Sequence, residues 1–371
     1  MQLASYFEWC LGSAPDNHRE FHKLFIETGF DSKLHTIWAT KRIWEVNSKK
    51  GHWNTRWPYL GFHSVSGVVS GWDASKEALL GKFGEPREPF GISTGAFSRT
   101  DGSYQDPAAS LATDFVLEPG EKKEVVYLLG QTQFEDGKDP YDEAQKLIGL
   151  YGIPLSALNE LDKVKQFWRE LTGRLSVETG DDSFDLLVNI WLKYQTISGH
   201  LWARSGYYQQ SGAYGFRDQL QASQIWLVLN PQLMLQQIRL HARHQFSDGT
   251  ALHWWHALSD EGLAGGVTDD LLWLPFMTAR YLNETADYSV LGDQVPYYVQ
   301  GRGTLQEHCI TAIEKVLSRF SGRGLPLIGS GDWCDGFNAV GINWRGESIW
   351  LGMFLHDVLS KWAAIQGACN K

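Results

Sequence analysis

Near residue 137 the hydrophobic period of this chain changes, and that change restricts the fold more than any other feature. Before it, residues 34–44 (LHTIWATKRIW) and 60–70 (LGFHSVSGVVS) mix β-branched and aromatic residues in partial alternation, the period of a strand. Between 111 and 129 two alternating runs meet at Glu118-Pro119-Gly120-Glu121, a turn signal between strands. Gly, Ser, Asp and Pro punctuate this part throughout, which predicts an antiparallel β-sandwich. After residue 137 the period is helical. Tyr141, Ala144, Leu147 and Ile148 suit one short helix, and Val164, Phe167, Trp168 and Leu171 suit another. Phe184, Leu187, Val188, Trp191, Tyr194 and Ile197 form an i, i+3, i+4, i+7 stripe. Further helical patterns lie near 219–229, 232–245, 270–284, 303–320 and 347–367. Pro231 divides two of them, with Asn230 before it as a candidate cap.

At 371 residues the chain has room for two domains. Aromatic residues make up 13%, including 17 Trp. Such rings either fill a core or stack on flat apolar surfaces such as the C–H faces of sugars. A net charge of −10 argues against nucleic acid or an anionic membrane as partner, since both need basic patches. The four cysteines (Cys10, Cys309, Cys334 and Cys369) are scattered without CxxC spacing, so free thiols are expected rather than a disulfide framework or a zinc site. The N-terminal stretch shows no signal-peptide pattern, and no run approaches the roughly 18 apolar residues of a membrane span. The expected location is cytoplasmic.

The chemistry-bearing motifs fall in the connections between helices, where function concentrates when a rigid scaffold positions it. They are SGAYGFRDQLQ (211–221), LHWWH (252–256), TDDLLWLP (268–275), GSGDWCDG (329–336) and RGES (345–348). Arg217 suits a polyol or an anion, while Asp218 suits either that site or a helix's first turn. His253 and His256 have no third ligand at metal spacing, so stacking by Trp254 or Trp255 is the better reading. Asp269 and Asp270 open a helix that Thr268 can cap, and Trp273 shares a helical face with Asp270. Asp332 and Asp335 flank Trp333. An apolar ring raises the pKa of a nearby acid, as a glycosidic general acid requires, but the same residues also make an ordinary turn.

Taken in order, SGAYGFRDQLQ, HWWH, DDLLWLP, GLPLIGSGDWCDG and RGESIWLG resemble the phosphorylases of glycoside hydrolase family 94. The opening SYFEWCLG with HREFHKLFIET resembles the sandwich domain of that family, most closely that of cellodextrin phosphorylase. The resemblance implies a β-sandwich over 1–136, a helical linker over 137–160 and an (α/α)6 barrel over 161–371 that is incomplete in this chain. It implies inverting phosphorolysis of a β-glucoside to α-glucose 1-phosphate, with inorganic phosphate as co-substrate and no metal or organic cofactor. Phosphate attacks the anomeric carbon directly, so one acid suffices. By position in the motif that acid is Asp335, with Trp333 lining the donor subsite and Asp332 supporting it. Arg217 corresponds to a donor-sugar ligand, and Asp218, Gln221, Trp254, Trp255, Asp270 and Trp273 fall in matching segments. The implied partners are a β-linked gluco-oligosaccharide and phosphate, with a homodimer or a complementing C-terminal chain as protein partners.

Two departures accompany the resemblance. The family pattern FRDxxQD is here FRDQLQA, so Ala222 stands where an aspartate would contact sugar hydroxyls. About seven helical patterns follow residue 160, against the twelve of a full barrel, so the chain reads as a fragment with impaired or partner-dependent activity. The alternatives are a laminaribiose or β-1,2-oligoglucan phosphorylase or cyclic-glucan-synthase-like fragment, a hydrolase or transferase on the same scaffold, and a non-catalytic sugar-binding remnant.

Overall fold

The structure is a computed structural model and describes residues 1–11, 23–42, 56–202, 213–257 and 260–369. Residue 12 and residues 18–22 of the opening motif, residues 43–44 of the first expected strand and residues 211–212 of the arginine motif lie outside the described residues. The chain divides into two compact units, Met1–Phe167 and Trp168–Lys371.

The first unit is a sandwich of two antiparallel sheets. Strands β1 (Gln2–Ala4), β2 (Phe7–Glu8) and β6 (Val69–Ser75) all pair with β7 (Pro107–Asp114). The second sheet runs β3 (Ile26–Asp31), β4 (Thr36–Lys41), β5 (Tyr59–Val65) and β8 (Tyr127–Gln133). Ile26, Ile37, Ala39 and Val65 from the second sheet meet Ala74, Ala109 and Leu111 of the first, with Trp9 between them. The period of two sends the alternate residues Leu60, Phe62 and Trp38 to the other face, where α1 (Pro140–Tyr151) covers them with Ala144, Leu147 and Ile148. Asp139 caps α1 by accepting from the Tyr141 N–H at 2.9 Å, just ahead of Pro140.

Two strand expectations change. The turn at 118–121 forms, with Glu121 N donating to Glu118 O at 2.9 Å and Gly120 at φ +88°, but it does not close a hairpin. Its flanking strands β7 and β8 belong to opposite sheets, because each has a better-matched partner elsewhere, β7 in β6 and β8 in β5. The single strand expected over 60–70 is β5 and β6, separated at Ser66–Gly67 where the chain crosses between sheets.

The boundary between units falls within α2 (Pro154–Thr172). In the second unit α5 (Asp270–Thr285) is the central element. It is buried on almost every side, as a helix apolar all round must be. Around it pack α3 (Phe216–Ala222), α4 (Pro231–Ala242), α6 (Leu305–Leu317) and α7 (Ile349–Cys369). Pro275 inside α5 cannot donate to the helix ladder, and its carbonyl accepts the Trp362 indole N–H of α7 at 2.9 Å. The helix expected over 219–229 ends at Ala222, where the Ser223 hydroxyl turns back to Leu220 O at 2.6 Å, and a second short helix occupies Ile225–Leu229. Pro231 does start α4, but Asn230 before it makes no side-chain cap.

The stripe over 184–197 changes most. Residues 182–202 are helical, but α turns alternate with π turns at Leu187–Trp191 and Gln195–Trp202. A π turn advances by more residues than an α turn, so a stripe spaced for 3.6 residues no longer stays on one face. Ile197 and Leu201 reach the core, whereas Phe184, Leu187, Trp191 and Tyr194 are exposed. No described helix is long and apolar enough to cross a membrane.

Candidate active site

Three segments of the second unit converge on Arg217. The first is the entry to α3. Strand β9 (Ala213–Gly215) pairs antiparallel with β10 (Leu252–His256), Gly215 opposite Trp254 and Tyr214 opposite Trp255, and β10 pairs in turn with β11 (Gly262–Ala264). Arg217 therefore leaves a fixed strand end in the first turn of α3.

The second segment is the loop before α7. Gly329 (φ +61°) and Gly331 (φ +153°) bridge to Val267. A Cβ on Gly329 would stand 2.3 Å from the carbonyl oxygen of Gly266, so glycine is required for the close approach. Thr268, expected to cap α5, braces this loop instead: its hydroxyl donates to Ile328 O at 3.1 Å and its N–H to Gly331 O at 2.9 Å. Asp332 is buried and holds the next turn. Its Oδ1 accepts from Cys334 N at 2.8 Å, its Oδ2 from the Ser348 hydroxyl, and Ser348 Oγ accepts from Leu351 N at 2.9 Å at the start of α7. Trp333 and Asp335 are thereby presented beside Arg217. The guanidinium lies 5.3 Å over the Trp333 ring, and Trp350 stacks near that ring at 6.1 Å and 18°. Asp335 receives both its hydrogen bonds from Arg217 Nη2, at 2.9 and 3.0 Å. The acid's side chain is 73% exposed and the arginine's 10%.

The third segment is the start of α5. Arg217 Nη1 donates to Asp269 Oδ2 at 3.4 Å and to the carbonyl of Asp332 at 3.2 Å. The Trp273 indole N–H donates to the same Asp269 oxygen at 3.0 Å. Asp270 pairs with His253 Nδ1 at 2.8 Å. Both aspartates are buried, and Oδ1 of each has no hydrogen-bond partner among the described residues.

The electrostatics follow from this crowding. Burial works against the Arg217 charge, but Asp269, Asp335 and Asp270 outweigh it and push its pKa further up. Burial, then the neighbouring Asp270, pushes the Asp269 carboxyl up, against the donors Trp273 and Arg217. Burial raises Asp270 as well, opposed chiefly by His253. The hydrogen bond to Asp270 raises His253 against the effect of burial.

The residues singled out in the sequence divide into two groups. Arg217, Asp335, Trp333, Asp270 and Trp273 come together, with Trp273 committed through its N–H to Asp269. Asp218 lies at the edge, 3.7 Å from Arg217 Nε, and Gln221 is half-buried with its carbonyl accepting from Gln224. The expectation that both indoles of HWWH serve a sugar fails for Trp255. It is 1% exposed and stacks on His244 at 4.0 Å, because adjacent strand residues point to opposite faces. Trp254 is half-buried against His256. Ala222 packs against the hydrophobic core. Asp269, His253 and Ser348 were not assigned to the site by the sequence. The adjacent Asp269-Asp270 pair was its available signal, since one helical turn cannot aim both carboxylates at the same partner.

A profile of the glycosyl hydrolase 94 superfamily catalytic domain matches residues 167–371, and one of the glycosyl hydrolase 94 supersandwich domain matches residues 1–152. The chain is 33% identical to the cyclic β-(1,2)-glucan synthase NdvB of Rhizobium meliloti (strain 1021) over 97% of its own length and 13% of that protein's. It is 29% identical to the solabiose phosphorylase of Paenibacillus borealis, over 82% of this chain and 38% of the relative. It is also 29% identical to the cellobionic acid phosphorylase of Neurospora crassa, over 79% and 36%. The chain thus spans well under half the length of each of these relatives.

Proposed function

Because the chain belongs to glycosyl hydrolase family 94, its sandwich followed by its helical catalytic domain, we propose that it carries the general-acid side of a site for inverting phosphorolysis of β-linked gluco-oligosaccharides. The reading rests on one observation. Asp335 sits on a turn anchored by Asp332, beside the partly exposed indole of Trp333 and within hydrogen-bond reach of a buried, permanently charged arginine. In the reaction the protonated Asp335 gives its proton to the glycosidic oxygen as that bond breaks, and a phosphate oxygen attacks the anomeric carbon from the opposite face. The products are α-glucose 1-phosphate and the shortened saccharide, so no second carboxylate is needed to activate water. Trp333 offers its face to the donor sugar, while Arg217, Asp218, Gln221, Trp254 and Asp270 supply polar and stacking contacts around it. The protein works without a metal or organic cofactor in this reading. Among the described residues no three His, Cys, Asp or Glu side chains are grouped to hold a metal ion.

Cellobiose and cellodextrins are the first substrates to test. A β-1,2-linked glucan is the second, supported by the alignment of nearly the whole chain with a cyclic β-(1,2)-glucan synthase. The test is phosphate release from α-glucose 1-phosphate with cellobiose, laminaribiose, sophorose and longer oligomers as parallel acceptors. Release with one acceptor identifies the linkage, and Asp335→Asn abolishes it. Glucose release without phosphate dependence would replace phosphorolysis by hydrolysis.

A further inference from the structure

Asp269 has no role in the reading above, yet it is the group that fixes Arg217 from below. It is fully buried, and one of its oxygens serves two donors, Arg217 Nη1 at 3.4 Å and the Trp273 indole at 3.0 Å. Its other oxygen has no hydrogen-bond partner among the described residues, and the carboxylate of Asp270 follows directly in the chain. Two consecutive buried aspartates, each with an unpaired oxygen, cost stability rather than supply it. A residue kept at that cost has a task other than packing.

The two carboxylates that Arg217 meets differ in kind. Asp269 begins the central, buried helix α5 and cannot move without disturbing it. Asp335 stands on an exposed turn, next to Gly336, where a Cβ would meet nothing within 4 Å. One nitrogen of the guanidinium is thus tied to the scaffold and the other to the exposed turn. We propose that Asp269 is a positioning residue: by holding Nη1 of Arg217 it aims Nη2 at the point where Asp335 and the donor sugar compete for it. The inference rests on the proposed phosphorolysis only in naming that sugar. The charged groups around this point are Asp269 and Asp270 at the start of α5, Asp218 beside Arg217 on α3, His253 on β10 and Asp335 on its turn. Of these, Asp269 alone touches both Arg217 and the core indole Trp273.

The test uses the full chain with 15N-labelled arginine. An anchored guanidinium rotates slowly about its Cζ–Nη bonds and gives separate Nη resonances, whereas a free one gives a single averaged signal. The Arg217 signals are assigned by their loss in Arg217→Lys. Separate Nη resonances are expected in the parent chain and in Trp273→Phe, which removes the other donor to Asp269. They should collapse to one in Asp269→Asn, a variant that keeps the oxygen Trp273 needs and removes only the charge. In the phosphate-release assay Asp269→Asn should lose tenfold or more. Combined with Arg217→Lys it should lose no more than Arg217→Lys does alone, since it acts through the arginine. Unchanged separate resonances in folded Asp269→Asn, or additive losses in the double variant, would overturn the proposal. Collapse in Trp273→Phe would assign Asp269 to holding the indole instead. A parent chain that releases no phosphate with any acceptor counts against the phosphorolysis reading, and the resonance comparison still decides the role of Asp269.

Discussion

Protonation of His241 limits the acid stability of the catalytic unit. The side chain lies on α4, fully buried beneath the strand pair that carries Arg217 into place, edge-on to Phe216 at 5.3 Å and to Trp255 at 5.1 Å. Its Nδ1–H donates to Gln237 O at 2.7 Å, which leaves the Nε2 lone pair as the protonation site. No hydrogen-bond partner for Nε2 exists among the described residues. Burial therefore drives the pKa from 6.5 down to about 3, with the adjacent His244 contributing in the same direction and the Gln237 bond opposing. A depressed histidine contributes stability that is complete above its unfolded pKa and is lost as the pH falls through the interval down to its folded value. At pH 5 the loss is about 1.5 pKa units, or about 2 kcal/mol at roughly 1.4 kcal/mol per unit. Against a net stability of about 5–15 kcal/mol that loss is large. His241→Gln removes the titration and keeps a donor near Gln237. The assay is urea unfolding followed by tryptophan fluorescence at pH 7, 6 and 5. The variant should lose about 2 kcal/mol less than the parent between pH 7 and 5. The other histidines titrate in both proteins and cancel from the comparison. An equal loss in both would show that protonated His241 is accommodated and that the argument from its unpaired nitrogen is wrong.

Two other perturbations test the site's supports. Ser348→Ala strips the buried Asp332 Oδ2 of its donor and Leu351 N of its acceptor, so thermal unfolding should report a loss of about 1–3 kcal/mol; a change under about 0.5 kcal/mol would mean that the loop is held elsewhere. Burial pushes the Cys309 thiol up to about 12, so a thiol reagent at pH 8 should modify the exposed Cys10 and Cys369 in the native protein and reach Cys309 only on unfolding.

The family resemblance was available because its residues sit in short, glycine-marked connections whose order in the chain survives without any knowledge of the fold. The placing of sandwich before helices was available for a similar reason: a period of two or of 3.6 is a local property, and each strand or helix must bury its own apolar side. Three features required tertiary structure. Strand partners are chosen between segments far apart in sequence, so the turn at 118–121 looked like a hairpin although β7 and β8 join different sheets. Two neighbouring tryptophans on one strand are equivalent in composition, and only the position of His244 beneath β10 sends Trp255 inward. Asp269 and Asp270 are indistinguishable as letters before a helix. The rotation of α5 against α3 and β10 decides that the first holds Arg217 and the second His253. Local sequence fixed which residues carry chemistry, because side-chain type is local; contact over 52 residues between Arg217 and Asp269, or 118 between Arg217 and Asp335, is a property of packing.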